Sequence, residues 1–392
     1  MATKTATLFL ILIVVPLGGI GIDLYSASMP QLATYLNIDQ SMIKLTISTF
    51  LSGLFVGMLV CGILSDSYGR KYFQVGNAIL FTASSLIIPS LHNFTAILFF
   101  RFLQGVSSGG MQSVARSMIT DIYTRTEITK ISLYVTSAWG IGPIIAPWIG
   151  GILAHYFGWK SCFYFFSMYG LVLLTLNGFV LKETNQNKIR LDIKHIAISC
   201  LDIIKEKDFI IPIIMMCIAY SILISYGILG SYFVEINLGM SSIAYGDIGL
   251  VVGIGYLLGT LSCRFLISKI SDDKLLKMLI WTLMLLNIFM LLISHVLPKA
   301  IFPWVIDILI TCFGMGFIYP IYMAKSIRAF AHKSGIASGL TVSMVLLLSF
   351  LISLGISQLV IHNSTQFIML YLFLTGIAFL IWNFSTRFLI DV

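Results

Sequence analysis

Stretches of about 20 apolar residues recur along this chain from one end to the other, each long enough to cross a bilayer's hydrocarbon core as a helix. Twelve can be marked: 7–29, 44–65, 72–90, 94–121, 131–154 and 160–182, then 208–236, 245–266, 276–296, 300–327, 335–360 and 366–387. Length alone would suggest two or three soluble domains. Against that, only 10% of the 392 residues are charged and 58% are hydrophobic, where a soluble chain carries roughly 25% charged residues. The charges cannot cover a water-facing surface, so lipid must be the solvent for most of it.

The first run could be mistaken for a cleavable leader, because Lys4 precedes Leu8–Ile22 and the small residues Ser26-Ala27-Ser28 follow. It contains Asp23 and continues past it, and removing it would leave an odd number of spans. It is therefore read as a span.

A net charge of +8 would suit a nucleic-acid partner if it formed a patch, but the Lys and Arg residues sit in short loops between apolar runs. With both termini cytoplasmic, 19 of them fall inside and three (Lys44, Lys160, Lys299) outside, while Arg101 and Arg116 lie within the fourth run. Such a bias sets topology and leaves no nucleic-acid surface. The one long loop, 183–207, carries Lys188, Arg190, Lys194, Lys205 and Lys207, and Ile193, Ile196, Ala197, Ile203 and Ile204 among its charges suggest an amphipathic segment lying on the membrane surface. It divides the chain into residues 1–185, a cytoplasmic linker 186–207, and residues 208–392. The expected fold is an all-α integral membrane protein: twelve transmembrane helices in two pseudo-symmetric six-helix bundles, in a cell's inner membrane.

Other classes are disfavoured. No GxxxxGK[ST] occurs, which argues against direct coupling to ATP. The six cysteines show no CxxC pairing and are read as small packing residues. The six histidines are scattered in loops or span ends rather than clustered with acids as a membrane enzyme would need. No catalysis, cofactor or metal is expected, and a monomer suffices to enclose a pathway.

Three motifs carry mechanism. In Gly62-Ile63-Leu64-Ser65-Asp66-Ser67-Tyr68-Gly69-Arg70-Lys71, Gly62 lets a neighbouring helix approach, Asp66 can cap or pair across the interface between halves, and Gly69 permits a tight turn. Arg70 and Lys71 also serve the inside-positive bias. In Arg101-Phe102-Leu103-Gln104-Gly105, an arginine within the membrane must face protein or water. It either relays protons with a nearby acid or acts as a hydrogen-bond hub holding span one against span four. In span five, Gly142, Pro143, Pro147, Gly150 and Gly151 give a smooth helix face with two backbone donors removed.

Together these stretches resemble the loop signature, the RxxQG motif and the antiporter-type helix of the major facilitator superfamily. Asp23-Leu24-Tyr25-Ser26-Ala27-Ser28-Met29-Pro30, Met118-Ile119-Thr120-Asp121-Ile122-Tyr123 and Gly158-Trp159-Lys160 leading into Phe163 are similar to motifs of its Bcr/CflA drug-resistance family. The second half is less similar, resting mainly on Gly314, Pro320 and Gly335–Gly339. The pattern departs at Thr120, where the family usually has arginine and Arg116 stands one turn earlier; at Ser26, in place of a proline; and around Gly259–Asp273, where the second loop signature is degenerate.

The resemblance implies a proton-coupled transporter with alternating access and a midplane site between the bundles. It would export drugs or other small amphipathic molecules by antiport; a dedicated substrate is the alternative, exported as a siderophore or metabolite or taken up as a nutrient by symport. Its partners would be the substrate, protons and the bilayer. Asp23 is the first candidate for proton coupling, because burial disfavours a carboxylate's charged form; the other reading is an acid that stays ionised beside cavity water. Asp307 is the second, either coupling protons or held in a permanent polar bridge, and Arg101 joins them. Glu235 reads as a solvated mouth residue. The cavity lining is expected from Tyr25, Gln112, Arg116, Trp139, Tyr220, Tyr226, Tyr256, Tyr319 and Tyr322.

Overall fold

The computed structural model describes residues 2–186, 193–297, 300–330 and 334–388, and every apolar run coincides with a helix. In chain order the long helices are the first (Ala2–Val14 with Leu17–Ser26), second (Gln40–Tyr68), third (Arg70–Ile87), fourth (Phe94–Ile122), fifth (Arg125–Phe157) and sixth (Lys160–Thr175). Then come the seventh (Lys207–Ser225, continued in wider π-helical turns to Asn237), eighth (Ser242–Leu266), ninth (Asp272–Val296), tenth (Phe302–Ala329), eleventh (Ser334–Ser357) and twelfth (Ser364–Phe388). Among the described residues there is no strand. Of the linker, Lys188 and Arg190 lie outside the described residues, and Ile193–Ile204 is a helix in which Ile203 is buried.

Several boundaries lie beyond the apolar runs because polar residues start helices well. The fifth helix begins at Arg125, not 131, where Thr124 and Glu127 form a capping box. The backbone N–H of Thr124 holds the Glu127 carboxyl below its ordinary value. The ninth begins at Asp272, with Asp272 and Asp273 in its first turn where the helix dipole favours negative charge. The first run is not one rod: Pro16, lacking an N–H, separates Ala2–Val14 from Leu17–Ser26, and Met29–Leu36 is a short helix of its own that ends at Asn37 in the left-handed conformation (φ 52°).

Among the described residues, eleven helices are long and apolar enough to cross a membrane. The fourth, with 29 residues, is long enough at about 43 Å but carries Arg101, Gln104, Ser107, Ser108 and Gln112, all buried. The molecule accordingly keeps these polar side chains inside, amid an apolar core, and is apolar outside. Leu285, Phe289 and Leu292 of the ninth helix are each more than half exposed, as surfaces solvated by lipid tails are.

Glycine decides which helices meet most closely. A Cβ at Gly53 or Gly57 would collide with the carbonyl oxygens of Phe102 or Val106, and one at Gly105 or Gly109 with those of Phe50 or Leu54. The second and fourth helices thus lie backbone against backbone. The pattern repeats in the second half, where Gly259 meets the Phe313 carbonyl and Gly316 the backbone of Tyr256 and Thr260, joining the eighth and tenth helices. Without a hydrophobic force between helices in lipid, such close packing is what holds them.

The first prediction follows. Gly57→Leu has no rotamer that clears a backbone atom, so it costs at least about 1–3 kcal/mol and lowers the melting temperature of the purified protein in detergent. Gly76→Ala, where nothing lies within 4 Å of the new Cβ, leaves it unchanged.

Candidate functional site

The two halves of the chain meet along two helix pairs, the fifth with the eighth and the second with the eleventh. The fifth–eighth seam is again glycine against backbone: Gly151 lies on the Ser242 carbonyl, Gly246 on the Pro147 carbonyl, Gly249 on the Pro147 ring and Gly253 on Ile144. Gly142 and Gly150 face the other way, onto the carbonyls of Pro16 and Leu24 in the first helix. One helix therefore packs through glycine on both sides, which explains the density of small residues between 140 and 151.

Hydrogen bonds joining the halves cluster at the end opposite the Gly69 turn. Ser26 Oγ and Tyr245 Oη are 2.6 Å apart, Ser48 and Ser353 hydroxyls 2.8 Å, Ser242 Oγ donates to the Gly151 carbonyl (3.1 Å) and Tyr232 Oη to that of Met29 (3.3 Å). Lys44, expected in an outer loop, is instead buried: its ammonium donates to the Leu359 carbonyl (2.9 Å) and lies 5.3 Å from the centre of the Tyr232 ring. Its position at the start of a helix hid this from sequence reading.

Deeper in, between the halves, lie two small cavities that share Gly19, Trp139 and Tyr220. One, with about 30 Å³ of water-accessible space, is lined by Gln112, Arg116 and Tyr319 among others. The other, about 20 Å³, is lined by Asp23, Pro143, Pro147 and Tyr226. Trp139 stacks on Tyr319 (ring centres 5.7 Å apart, planes at 17°) and abuts Tyr220 (6.1 Å) and Tyr256 (6.4 Å). One indole from the first half is thus held by three phenols from the second. Gln112 also spans the break in the first helix: with its nitrogen toward Val15 it donates to that carbonyl (3.3 Å) and accepts from the Gly18 N–H (3.2 Å).

Asp23 and Arg116 have neither a hydrogen-bonding nor an ion-pairing partner for their side chains among the described residues. By contrast, Arg101 is fully buried and served by the first half alone. It donates to the Gly21 carbonyl (3.0 Å) and to Gln104 Oε1 (2.7 Å) and lies over the rings of Tyr25 (4.4 Å) and Phe50 (4.6 Å). It makes no ion pair among the described residues, so its surroundings are those of the hub that ties span one to span four.

Three expected site residues lie elsewhere. Tyr25 is packed under Arg101 and accepts a hydrogen bond from Thr46 (3.0 Å), away from the cavities. Tyr322 lines a separate pocket with Lys207, Asp273, Lys325 and Arg328. Asp307 is buried among the ninth, tenth and twelfth helices, where Asn287, in the orientation that points its nitrogen there, donates to Asp307 Oδ1 (3.3 Å) and itself accepts from Thr375 (3.2 Å), while Asp307 Oδ2 has no hydrogen-bond partner among the described residues. Glu235 is not a solvated mouth residue either: it is half-buried, with Oε1 enclosed and unpartnered.

The Gly62–Lys71 motif forms a compact cluster within the first half. Gly62 faces Ser113 of the fourth helix, and Gly69 turns at φ 112°, a conformation that excludes a side chain without strain. Among the described residues Asp66 does not pair across the halves: it pairs with Arg70 (2.5 Å) one turn on, and Arg70 also binds Asp121 (3.0 Å). Glu183, which the sequence did not single out, accepts from the backbone N–H of Arg70 (2.9 Å) and Lys71 (3.2 Å). Its role is invisible in sequence because 112 residues separate the partners.

The sequence profile of the Major Facilitator Superfamily matches residues 11–353. The chain belongs to that superfamily. It is a multi-pass membrane transporter with an all-helical fold. Among its relatives are the multidrug resistance protein MdtL of Shewanella oneidensis (24% identical, covering 82% of this chain and 80% of the relative) and an uncharacterized MFS-type transporter, YdgK, of Bacillus subtilis (26%; 91% and 90%). A bicyclomycin resistance protein homolog of Haemophilus influenzae is 30% identical over 48% of each chain. In fold, this superfamily member is similar to a D-xylose–proton symporter of known structure (TM-score 0.77, 15% identity, 97% of each chain).

Glu183 generates the second prediction. Partial burial pushes its carboxyl up, but the backbone N–H groups of Arg70, Asn185, Lys71 and Thr184 outweigh that and hold it below its ordinary range. A lowered folded-state value means stability that is complete above the unfolded value, about 4.3, and is lost as pH falls through the folded one. The melting temperature of Glu183→Gln should therefore lie below wild type at pH 7. The gap should close as pH drops below about 4.

Proposed function

We propose that this transporter is a proton-coupled exporter of small amphipathic molecules, drugs among them, working by alternating access across a cell's inner membrane. The observation that carries this is Asp23: a carboxylate with no cation beside it, on the wall of a cavity between the halves. A group so placed exchanges its proton with whichever side the cavity opens to, and its affinity for that proton is linked reciprocally to substrate binding. The drug-resistance relatives support the substrate class, and the glycine-lined fifth–eighth seam supports two bodies that move against each other.

On this reading the fourth helix completes twelve spans, both termini are cytoplasmic, and residues 1–185 and 208–392 are the two bundles joined by 186–207. The concentration of helix contacts within each half supports that division. The Gly69 turn then lies on the cytoplasmic face and the Ser26–Tyr245, Ser48–Ser353 and Lys44–Leu359 contacts close the outer face. Arg101 and Asp307 support the mechanism from inside their own bundles, by packing and not by touching the substrate.

Two outcomes are expected. In proteoliposomes enclosing a pH-sensitive dye, Asp23→Asn should abolish proton-driven movement of a transported compound yet retain its equilibrium exchange. Driven transport at the wild-type rate, or protons moving inward together with the compound, would sink the antiport reading. In a cysteine-free background, Ser48→Cys with Ser353→Cys should crosslink on oxidation and stop transport, and reductant should restore it. Undiminished turnover in the crosslinked protein would mean that the outer face need not open.

A further inference from the structure

Among the described residues Arg116 is a charge without a partner: it makes no ion pair and no hydrogen bond, although a guanidinium has five N–H donors to satisfy. Its cavity is walled by Gly18, Leu54, Met58, Val342, Val345 and Leu346, with only Gln112, Trp139, Tyr220 and Tyr319 offering polarity. None of these is acidic. Asp23, the nearest candidate counter-ion by function, lines the other cavity, beyond Trp139 and Tyr220. Arg116 is half-buried, and a cation held partly out of water among mostly apolar side chains gains from an anion brought beside it. The site therefore resembles one half of an ion pair.

The aromatic wall beside it adds shape. Trp139 and Tyr319 are stacked nearly parallel across the halves, each supplying a flat face at the edge of the cavity. About 30 Å³ of space holds a water or two, whereas drug-sized ligands occupy roughly 300–1,000 Å³. A substrate must therefore part the halves and replace the Trp139–Tyr319 contact with its own ring.

From this geometry we infer that Arg116 is the substrate anchor and that the preferred substrates are aromatic compounds bearing a carboxylate or similar acidic group. The acid takes a forked, charge-assisted hydrogen bond from the guanidinium, and the ring lies against Trp139 and Tyr319. This rests on the reading of the inter-half cavity as the transport site and narrows its substrate class. It also gives the two charges that line these cavities separate tasks: Arg116 binds the organic anion and Asp23 the proton.

The test is a binding measurement that needs no gradient. Purified full-length protein in nanodiscs is titrated calorimetrically with three naphthyl probes that differ only in head group: an acetate, an acetamide and an ethylammonium. The acetate should bind about tenfold or more tightly than the acetamide, as expected when a charge-assisted bond replaces a neutral one, and the ethylammonium weakest of all. Arg116→Gln should erase the preference for the acetate and leave acetamide affinity within about twofold, which also shows that the variant is folded. The inference is overturned if the ethylammonium binds tightest, if the acetate preference survives Arg116→Gln, or if the acetate fails to bind wild-type protein. An acetate preference without proton release in the dye assay would refute proton coupling and leave the anchor standing.

Discussion

Hydrocarbon offers no partner to a polar group, so every charge inside this molecule must be met by protein, by cavity water or by something that arrives from outside. Arg101 shows the first solution. Its donors reach a backbone carbonyl and Gln104, and its face rests on Tyr25 and Phe50, contacts worth about 2 kcal/mol or more when desolvated. Asp307 is met at one of its two oxygens by Asn287, in the amide orientation that also bonds Thr311 and Thr375. Among the described residues Asp23, Arg116 and Glu235 have no such provision. Two of them, Asp23 and Arg116, line the cavities between the halves.

That contrast depends on how closely the helices approach. Within each half, glycines let the second and fourth, and the eighth and tenth, meet backbone to backbone, giving bodies too tightly packed to deform. Between the halves, the fifth and eighth helices use the same device, but the polar contacts that accompany it are few. They are hydroxyl and carbonyl bonds plus one lysine, gathered at one end. Interhelical hydrogen bonds in membranes average about 0.6 kcal/mol. A seam held by a handful of them can open at modest cost while the bodies on either side stay rigid.

The Gly62–Lys71 motif belongs to this division of labour. Its cluster of Asp66, Arg70, Asp121 and Glu183 ties the second, third and fourth helices to the chain that leaves the sixth. It braces one body at the face where no hydrogen bond joins the halves among the described residues. Asp66 is taken up by Arg70 here, and among the described residues it makes no pairing across the halves.

The helices were legible in the sequence because each must be apolar over the width of a bilayer, a local demand that shows in any window of 20 residues. Arg101, the glycine runs and Asp23 stood out for the same reason: each is an exception to that demand. Composition could not say which exceptions would find partners. Lys44 looked like a loop residue, Glu183 like one acid among several, Tyr25 and Tyr322 like cavity aromatics, and Asp307 like the mate of Asp23. Their surroundings come from helices up to 315 residues away in the chain. The sequence by itself determined a helical membrane protein of this superfamily, since hydrophobic length and motif spacing are properties of short segments. Only the tertiary structure decided which charges remain unpaired, because a partner is a matter of distance in space, set by how closely the glycines let the helices come.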